Sequence, residues 1–251
     1  MTMIDAAAVL YRQRPIRNTS APGLTRAIAC EFGKQNVMQL RLLRVCVGRP
    51  QIIAHVGAQP VFSAIAKHPV TGNVFVGKAN IDGDAQADLT VHGGFDKAIY
   101  AYPADNWPWW ESQQMLPCSP NTFGENLTLE GADESQISIG DRFVWGDAEL
   151  EVSQPRGPCY KLAIHTRRAN TPAIMTVSAR SGWYLRVTRE GEAPPHGTLI
   201  RIHASGAPNV RDAFMAAYHP HVPESDRVRV LEVPELAENW RMAVARKLTA
   251  P

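Results

Sequence analysis

No stretch of this chain approaches the roughly 20 consecutive apolar residues that a membrane-spanning helix needs. Nothing near the start pairs a continuous apolar core with small residues, as a secretory signal would. The sequence therefore predicts a soluble, cytoplasmic protein with no membrane partner. Its four cysteines, Cys30, Cys46, Cys118 and Cys159, form no C-x-x-C pair and stand apart from histidines at zinc-finger spacing. Cysteines this sparse argue against both a zinc finger and a disulfide scaffold. A cysteine set for an iron–sulfur cluster, a G-x-G-x-x-G turn and a P-loop are also missing, as are internal repeats and low-complexity segments. The remaining composition is ordinary for a globular protein: 251 residues, 45% hydrophobic, 20% charged, with a net charge of +2.

That small net charge hides an uneven distribution. Residues 1–50 carry eight Lys/Arg against Asp5 and Glu31, a balance of +6, while the rest carries 18 basic and 22 acidic residues, a balance of −4. A body coated in cations for nucleic acid is not what this pattern describes. Half of that excess, 5 − 2 = +3, sits in a leader, residues 1–37, with scattered arginines and no clear apolar face. It reads first as an extension upstream of a start at Met38. A targeting peptide and a disordered arm are the alternatives.

From Met38 to about residue 203 the chain alternates short β-type runs with turns. Strands are predicted at residues 40–47, 61–66, 74–77, 89–91, 126–129, 136–139, 142–145, 149–153, 184–188 and 199–203. Gly, Pro, Asp or Asn bound many of them, as in Thr71-Gly72-Asn73 and Trp145-Gly146-Asp147. Such regular punctuation predicts a mainly β, α+β protein built on a closed or nearly closed barrel. Two helices interrupt it. One begins near Asp105, an N-cap candidate, and carries Trp107, Trp109 and Trp110; the other runs from Thr171-Pro172 to Gly182. Beyond residue 204, three helical segments at 210–218, 225–231 and 235–248 predict a small C-terminal three-helix domain. In the last, Leu236, Trp240, Val244 and Leu248 form one apolar stripe. The expected division is thus 1–37, 38–204 and 205–251.

Three segments gather residues that a packed core does not need. In Thr90-Val91-His92-Gly93-Gly94-Phe95-Asp96-Lys97, paired glycines let backbone approach a ligand and offer N–H groups to an anion. His92 and Lys97 add cationic donors; a tight turn with a surface ion pair accounts for the same residues. In Thr122-Phe123-Gly124-Glu125-Asn126-Leu127, Glu125 and Asn126 precede a strand, where they either hold the edge of a ligand ring or brace a loop. In Ser153-Gln154-Pro155-Arg156-Gly157-Pro158-Cys159-Tyr160-Lys161, a strand ends in a rigid turn that delivers a cysteine to the start of a helix. Helix N-termini and neighbouring cations, here Arg156 and Lys161, favour a thiolate, which is the nucleophile and the soft metal ligand. A buried structural thiol is the competing account. Cys46, inside an apolar strand, reads as core, and Cys118, between two prolines, as incidental.

With Ser63-Ala64-Ile65-Ala66-Lys67, Gly83-Asp84-Ala85-Gln86-Ala87-Asp88 and Ser181-Gly182-Trp183-Tyr184, these segments resemble, in order from about Leu43 to Leu248, MOSC-domain proteins of the YiiM subfamily. The sequence departs from that pattern at Asn80-Ile81-Asp82. The resemblance implies a β-barrel holding the pterin-based molybdenum cofactor, with Cys159 as metal ligand and catalytic residue. His92, Gly93, Gly94, Asp96, Lys97, Glu125, Asn126, Arg156 and Lys161 are the expected cofactor-binding residues. It also implies reduction of N-hydroxylated bases or amines. The alternative is a carrier of cofactor, or of sulfur as a persulfide on the same cysteine. A reductase of this kind needs a separate electron-donor protein. The helical domain and the three-tryptophan helix are candidate docking or homodimer surfaces, although core packing is the simpler use of those tryptophans.

Overall fold

A computed structural model describes residues 37–88 and 93–249. The expectations for the leader fall almost wholly outside these residues, as do those for Cys30, His92 and a strand at 89–91.

The architecture rests on alternation. In β1 (Gln39–Val47), Leu40 and Leu42 point inward and Arg41 outward, the period of two that gives a strand one apolar face. Arg41 then pairs with Glu130 across the sheet. The other strands are β2 (Gln51–Val56), β3 (Gln59–Ser63), β4 (His68–Pro69), β5 (Val74–Val76), β6 (Ile99–Pro103), β7 (Leu127–Glu130), β8 (Arg142–Trp145), β9 (Ala148–Pro155), β10 (Trp183–Arg189), β11 (Gly191–Ala193) and β12 (Gly197–His203). The main sheet runs β12-β8-β9-β10-β6-β7-β1-β4, and a further β12–β1 pairing closes its first seven strands into a barrel. Closure leaves those strands no free edge. Within the barrel, β6 and β7 run parallel; the other pairings are antiparallel.

The helices are α1 (Trp107–Gln114), α2 (Tyr160–Thr166), α3 (Thr171–Ser178), α4 (Val210–Tyr218), α5 (Glu224–Leu231) and α6 (Glu238–Leu248). Asn209 caps α4 by accepting from the Asp212 N–H, the side-chain cap that a helix start rewards. The apolar faces of α4–α6, including Val210, Phe214, Trp240 and Val244, join the same core cluster as the barrel residues Val152, Leu150 and Trp183. A second cluster gathers Tyr102, Trp110, Phe123, Leu162 and Met175, with Trp107 and Trp109 packed against it. The three tryptophans of α1 therefore serve packing.

Several predicted elements shift. Residues 136–139 form no strand, because Gln136 and Ile139 give their N–H groups to Asp133 and Pro208 rather than to a ladder; a single bridge joins Ser138 to Asn209. Asp105 does not cap α1. Asn106 stands at the cap, and the Asp105 carboxylate accepts instead from the Gly131 N–H. The helix expected to reach Gly182 ends at Ser178, where Ala179 turns left-handed at φ 54°. Gly182 is then pressed so close to the Ala101 carbonyl that a Cβ would lie 2.3 Å from it. Strand β2 escaped the sequence because it has no buried face and hence no alternation.

Candidate functional site

The site is built where β9 leaves the barrel. Tyr184 opposes Gln154 and Leu185 opposes Val152, so Ser153 is an extra residue on β9. Such a bulge bends a strand and re-aims the side chains beyond it. Ser153 Oγ holds the bulge, donating to the carbonyl of Asp96 (2.5 Å) or Tyr184 (3.1 Å). From Ser153 to Arg156 every residue is buried. Prolines at 155 and 158 stiffen the exit, and Cys159 takes the extended N-cap position of α2 (φ −137°, ψ 158°), with its side chain unused as a cap.

Here a small cavity of about 90 Å³ opens to solvent. Cys159, Arg156, Lys161, Lys97 and Asn126 all line it, so five of the residues singled out in three separated segments do converge. Gly93, Gly94, Asp96 and Glu125 are not among its lining residues. Glu125 is wholly buried, and its carboxylate accepts from the Asn121 N–H (2.7 Å), the Phe123 N–H (3.1 Å) and the Thr128 hydroxyl (2.8 Å). Burial raises its pKa above the usual carboxylate range. It braces the 121–126 loop. Asp96 is drawn away to Arg186, whose Nε donates to it at 2.9 Å and whose other nitrogens reach Glu151 and the Glu235 carbonyl. Gly94 opens a 3-10 turn, Phe95–Lys97, with Lys97 N–H donating back to Gly94 at 3.0 Å.

Sequence reasoning passed over Lys67, Asp84, Tyr100 and Tyr184, which complete the wall. Asp84 accepts from Lys67 Nζ (2.5 Å), the Gly48 N–H (2.8 Å) and Asn126 Nδ2 (3.0 Å). Asn126 also donates to the Cys46 carbonyl and accepts from the Tyr100 N–H. A usable signal existed: Lys67 and Asp84 belong to stretches that carried the family resemblance.

The electrostatics are one-sided. Lys67, Lys97, Arg156 and Lys161 face the cavity against one carboxylate, Asp84, already committed to its three donors. Arg156 is 5% exposed and takes part in none of the ion pairs among the described residues. Its guanidinium lies 5.1 Å from the centre of the Tyr100 ring, with Nη1 3.6 Å from Met175 Sδ and Nη2 3.9 Å from Cys159 Sγ. A buried cation without an acid is costly unless something else carries negative charge near it. Burial lowers the Lys97 pKa, with Asp96 opposing the shift. Burial raises the Tyr100 and Tyr184 pKa values, so both remain phenols. Burial pushes the Cys46 thiol up to about 11 and that of Cys118 up to about 12.

The sequence matches the MOSC domain over residues 88–204. It is 35% identical over 208 residues to YflK of Bacillus subtilis (strain 168), covering 82% of this chain and 93% of that protein. A protein called Reductase from Gibberella moniliformis is 35% identical over 158 residues, 60% of this chain but 27% of its own length. Among solved structures, YiiM from Geobacillus stearothermophilus superposes with a TM-score of 0.69 at 31% identity, covering 83% of this chain and 99% of that one.

Proposed function

Because this chain belongs to the MOSC-domain family, in the company of YiiM and YflK, we propose that it binds the molybdenum cofactor and reduces N-hydroxylated bases or amines, with Cys159 as the protein's ligand to the metal. The observation that carries the proposal is the buried, acid-free Arg156 beside the Cys159 sulfur in a cavity of four cations.

The donor set fits the group. Among the described residues no three His, Cys, Asp or Glu side chains gather as a metal cage. A metal that arrives already held by the sulfurs of a dithiolene needs only one soft ligand more, and a thiolate is that ligand. The cofactor's phosphate calls for cations, and Lys97, Lys161 and the planar fork of Arg156 supply them. Bound there, the cofactor supplies two-electron redox chemistry, while the protein orients it and tunes its surroundings. Arg156 keeps positive charge beside the sulfur. Tyr100 and Tyr184 stay protonated, and the Tyr100 hydroxyl is held inside the fold by donating to the Ser181 carbonyl at 2.8 Å. Asn126, tied at both ends of its amide, holds the wall rigid.

In the overall reaction the N–O bond breaks, two electrons and two protons are consumed, and amine and water leave. The electrons come from a separate donor protein. No helix among the described residues is long and apolar enough to cross a membrane, which suits a cytoplasmic setting. The test is elemental analysis of purified protein beside Cys159→Ser. One molybdenum per wild-type chain, and none in a variant with an unchanged melt, is the expected result. Equal metal in both overturns it. Turnover of an N-hydroxylated amine with a supplied reductant separates reductase from carrier.

A further inference from the structure

Glu134 lies in the loop between β7 and β8, outside the lining of the cavity, and is fully buried. A carboxylate shut away from water is costly unless donors surround it. Burial raises its pKa, and the bonds it accepts oppose that shift. They come from Asn106 Nδ2, 3.0 Å from each oxygen, and from the Gly182 N–H at 2.7 Å. Asn106 is itself fixed, its Oδ1 accepting from Arg180 Nη1 at 2.5 Å, and the Arg180 guanidinium lies 4.8 Å from the centre of the Trp109 ring. The Glu134 carbonyl accepts from the Arg211 N–H of α4 at 3.0 Å. Glu134 thus stands between α1, α4 and the turn at 180–182.

That turn carries part of the cavity wall. The Ser181 carbonyl accepts from the Tyr100 hydroxyl at 2.8 Å, and the Gly182 carbonyl accepts from the Arg156 N–H at 3.3 Å. Tyr100 belongs to β6 and Arg156 follows β9, so two lining residues from separate strands hang on adjacent carbonyls of one turn. The Ser181 carbonyl and the Gly182 N–H are the two edges of a single peptide unit. Because that unit is planar, fixing the N–H on Glu134 aims the carbonyl at Tyr100. The Tyr100 ring in turn lies 5.1 Å from the Arg156 guanidinium, whose Nη2 is 3.9 Å from Cys159 Sγ.

We infer that Glu134 is a positioning residue: by holding the Ser181–Gly182 peptide it sets Tyr100 and Arg156, and so keeps a positive charge beside the Cys159 sulfur. This positioning involves the chain's own groups alone. Its consequence for a bound cofactor rests on the function proposed above.

The experiment uses full-length protein made in a host that lacks the molybdenum cofactor, which leaves Cys159 free whatever becomes of that function. Cys159 is alkylated in parallel with iodoacetate, an anion, and iodoacetamide, which is neutral. N-acetylcysteine in the same tube is the reference, and peptide mass mapping follows the reaction. The ratio of the two rates cancels thiol exposure and ionisation and reports the charge near the sulfur. Relative to the reference, the wild type should favour iodoacetate roughly fivefold, the effect of one cation at close range. Arg156→Ala should lose at least half of that preference. Glu134→Leu, which strands the Gly182 N–H, should lose as much, while Glu134→Gln, which keeps an oxygen for that N–H, should retain it. Where Glu134→Leu does not fold, Glu134→Asp, one methylene shorter, should show the loss. A folded Glu134→Leu or Glu134→Asp with the wild-type ratio overturns the inference. So does a ratio in Glu134→Gln as low as in Glu134→Leu, an unchanged ratio in Arg156→Ala, or a wild-type Cys159 that neither reagent reaches. Molybdenum content of wild-type protein from a cofactor-producing host keeps the two claims apart. No metal, with the ratios as expected, breaks the cofactor proposal alone. Bound metal, with a wild-type ratio in folded Glu134→Leu, breaks this inference alone.

Discussion

Residues 155–159 and residues 121–126 look alike in the sequence: each is a glycine-containing turn beside a strand, with a charged residue and a polar or reactive partner. In the fold they do opposite work. The first buries a cation, Arg156, without an acid and turns it with Cys159 toward the cavity. The second buries an anion, Glu125, and spends it on three internal donors. A buried charge whose hydrogen bonds are satisfied inside the protein is structural. One held beside a cavity and lacking an opposite charge is available to a ligand.

The sharpest break in that comparison is expected at Cys159. Cys159→Ser is nearly isosteric but exchanges a soft thiolate for a hydroxyl, so molybdenum should fall to background with the thermal melt preserved. Cys118→Ser should leave the metal in place; elemental analysis that finds the reverse pattern assigns the ligand to the wrong loop.

Next comes Glu125→Ala, which strands two backbone N–H groups and the Thr128 hydroxyl in the interior. A loss on the order of 3–5 kcal/mol in denaturant unfolding follows, with metal per folded molecule unchanged. A stable variant that loses metal would make the 121–126 loop a ligand-binding element after all.

Arg156→Ala should behave in the opposite manner, melting close to wild type while retaining cofactor about 10- to 100-fold less tightly, the range of a charge-assisted bond. Arg156→Lys keeps the charge but loses the planar fork and should fall between. Lys161→Ala and Lys97→Ala are expected at the low end. Unchanged cofactor affinity across all four would leave the cavity without its electrostatic role.

The smallest effect concerns the thiols. Burial raises Cys46 to about 11 and Cys118 to about 12 from an ordinary 9. Both favour the protonated form in the fold, so the stability they contribute is complete below pH 9 and declines as pH rises toward 11 and 12. Iodoacetamide at pH 8, read by peptide mass mapping, should therefore modify Cys159, which lines an open cavity, well before Cys46 or Cys118. Cys118 labelled first would reverse that order.

The β character, the barrel strands at residues 40–47, 142–145 and 199–203, and helix α4 were legible because each rests on local periodicity or on turn and cap residues. Strand β6 was not marked as one, since all five of its residues are buried and show no alternation. Cys159, Arg156 and Lys161 could be named in advance because they are neighbours in one turn, where rigidity and charge act over a few bonds. The roles of Glu125 and Asp96 could not. Whether a carboxylate faces a ligand depends on which distant donors reach it first, and Arg186 stands 90 residues from Asp96. Gln154 was quoted only as part of a motif; it follows the one-residue bulge at Ser153, and its side-chain oxygen has no hydrogen-bond partner among the described residues, which no local pattern announces. Local sequence settles which groups a segment carries, but barrel closure and helix packing settle which of them are left facing open space, since that depends on groups far apart along the chain.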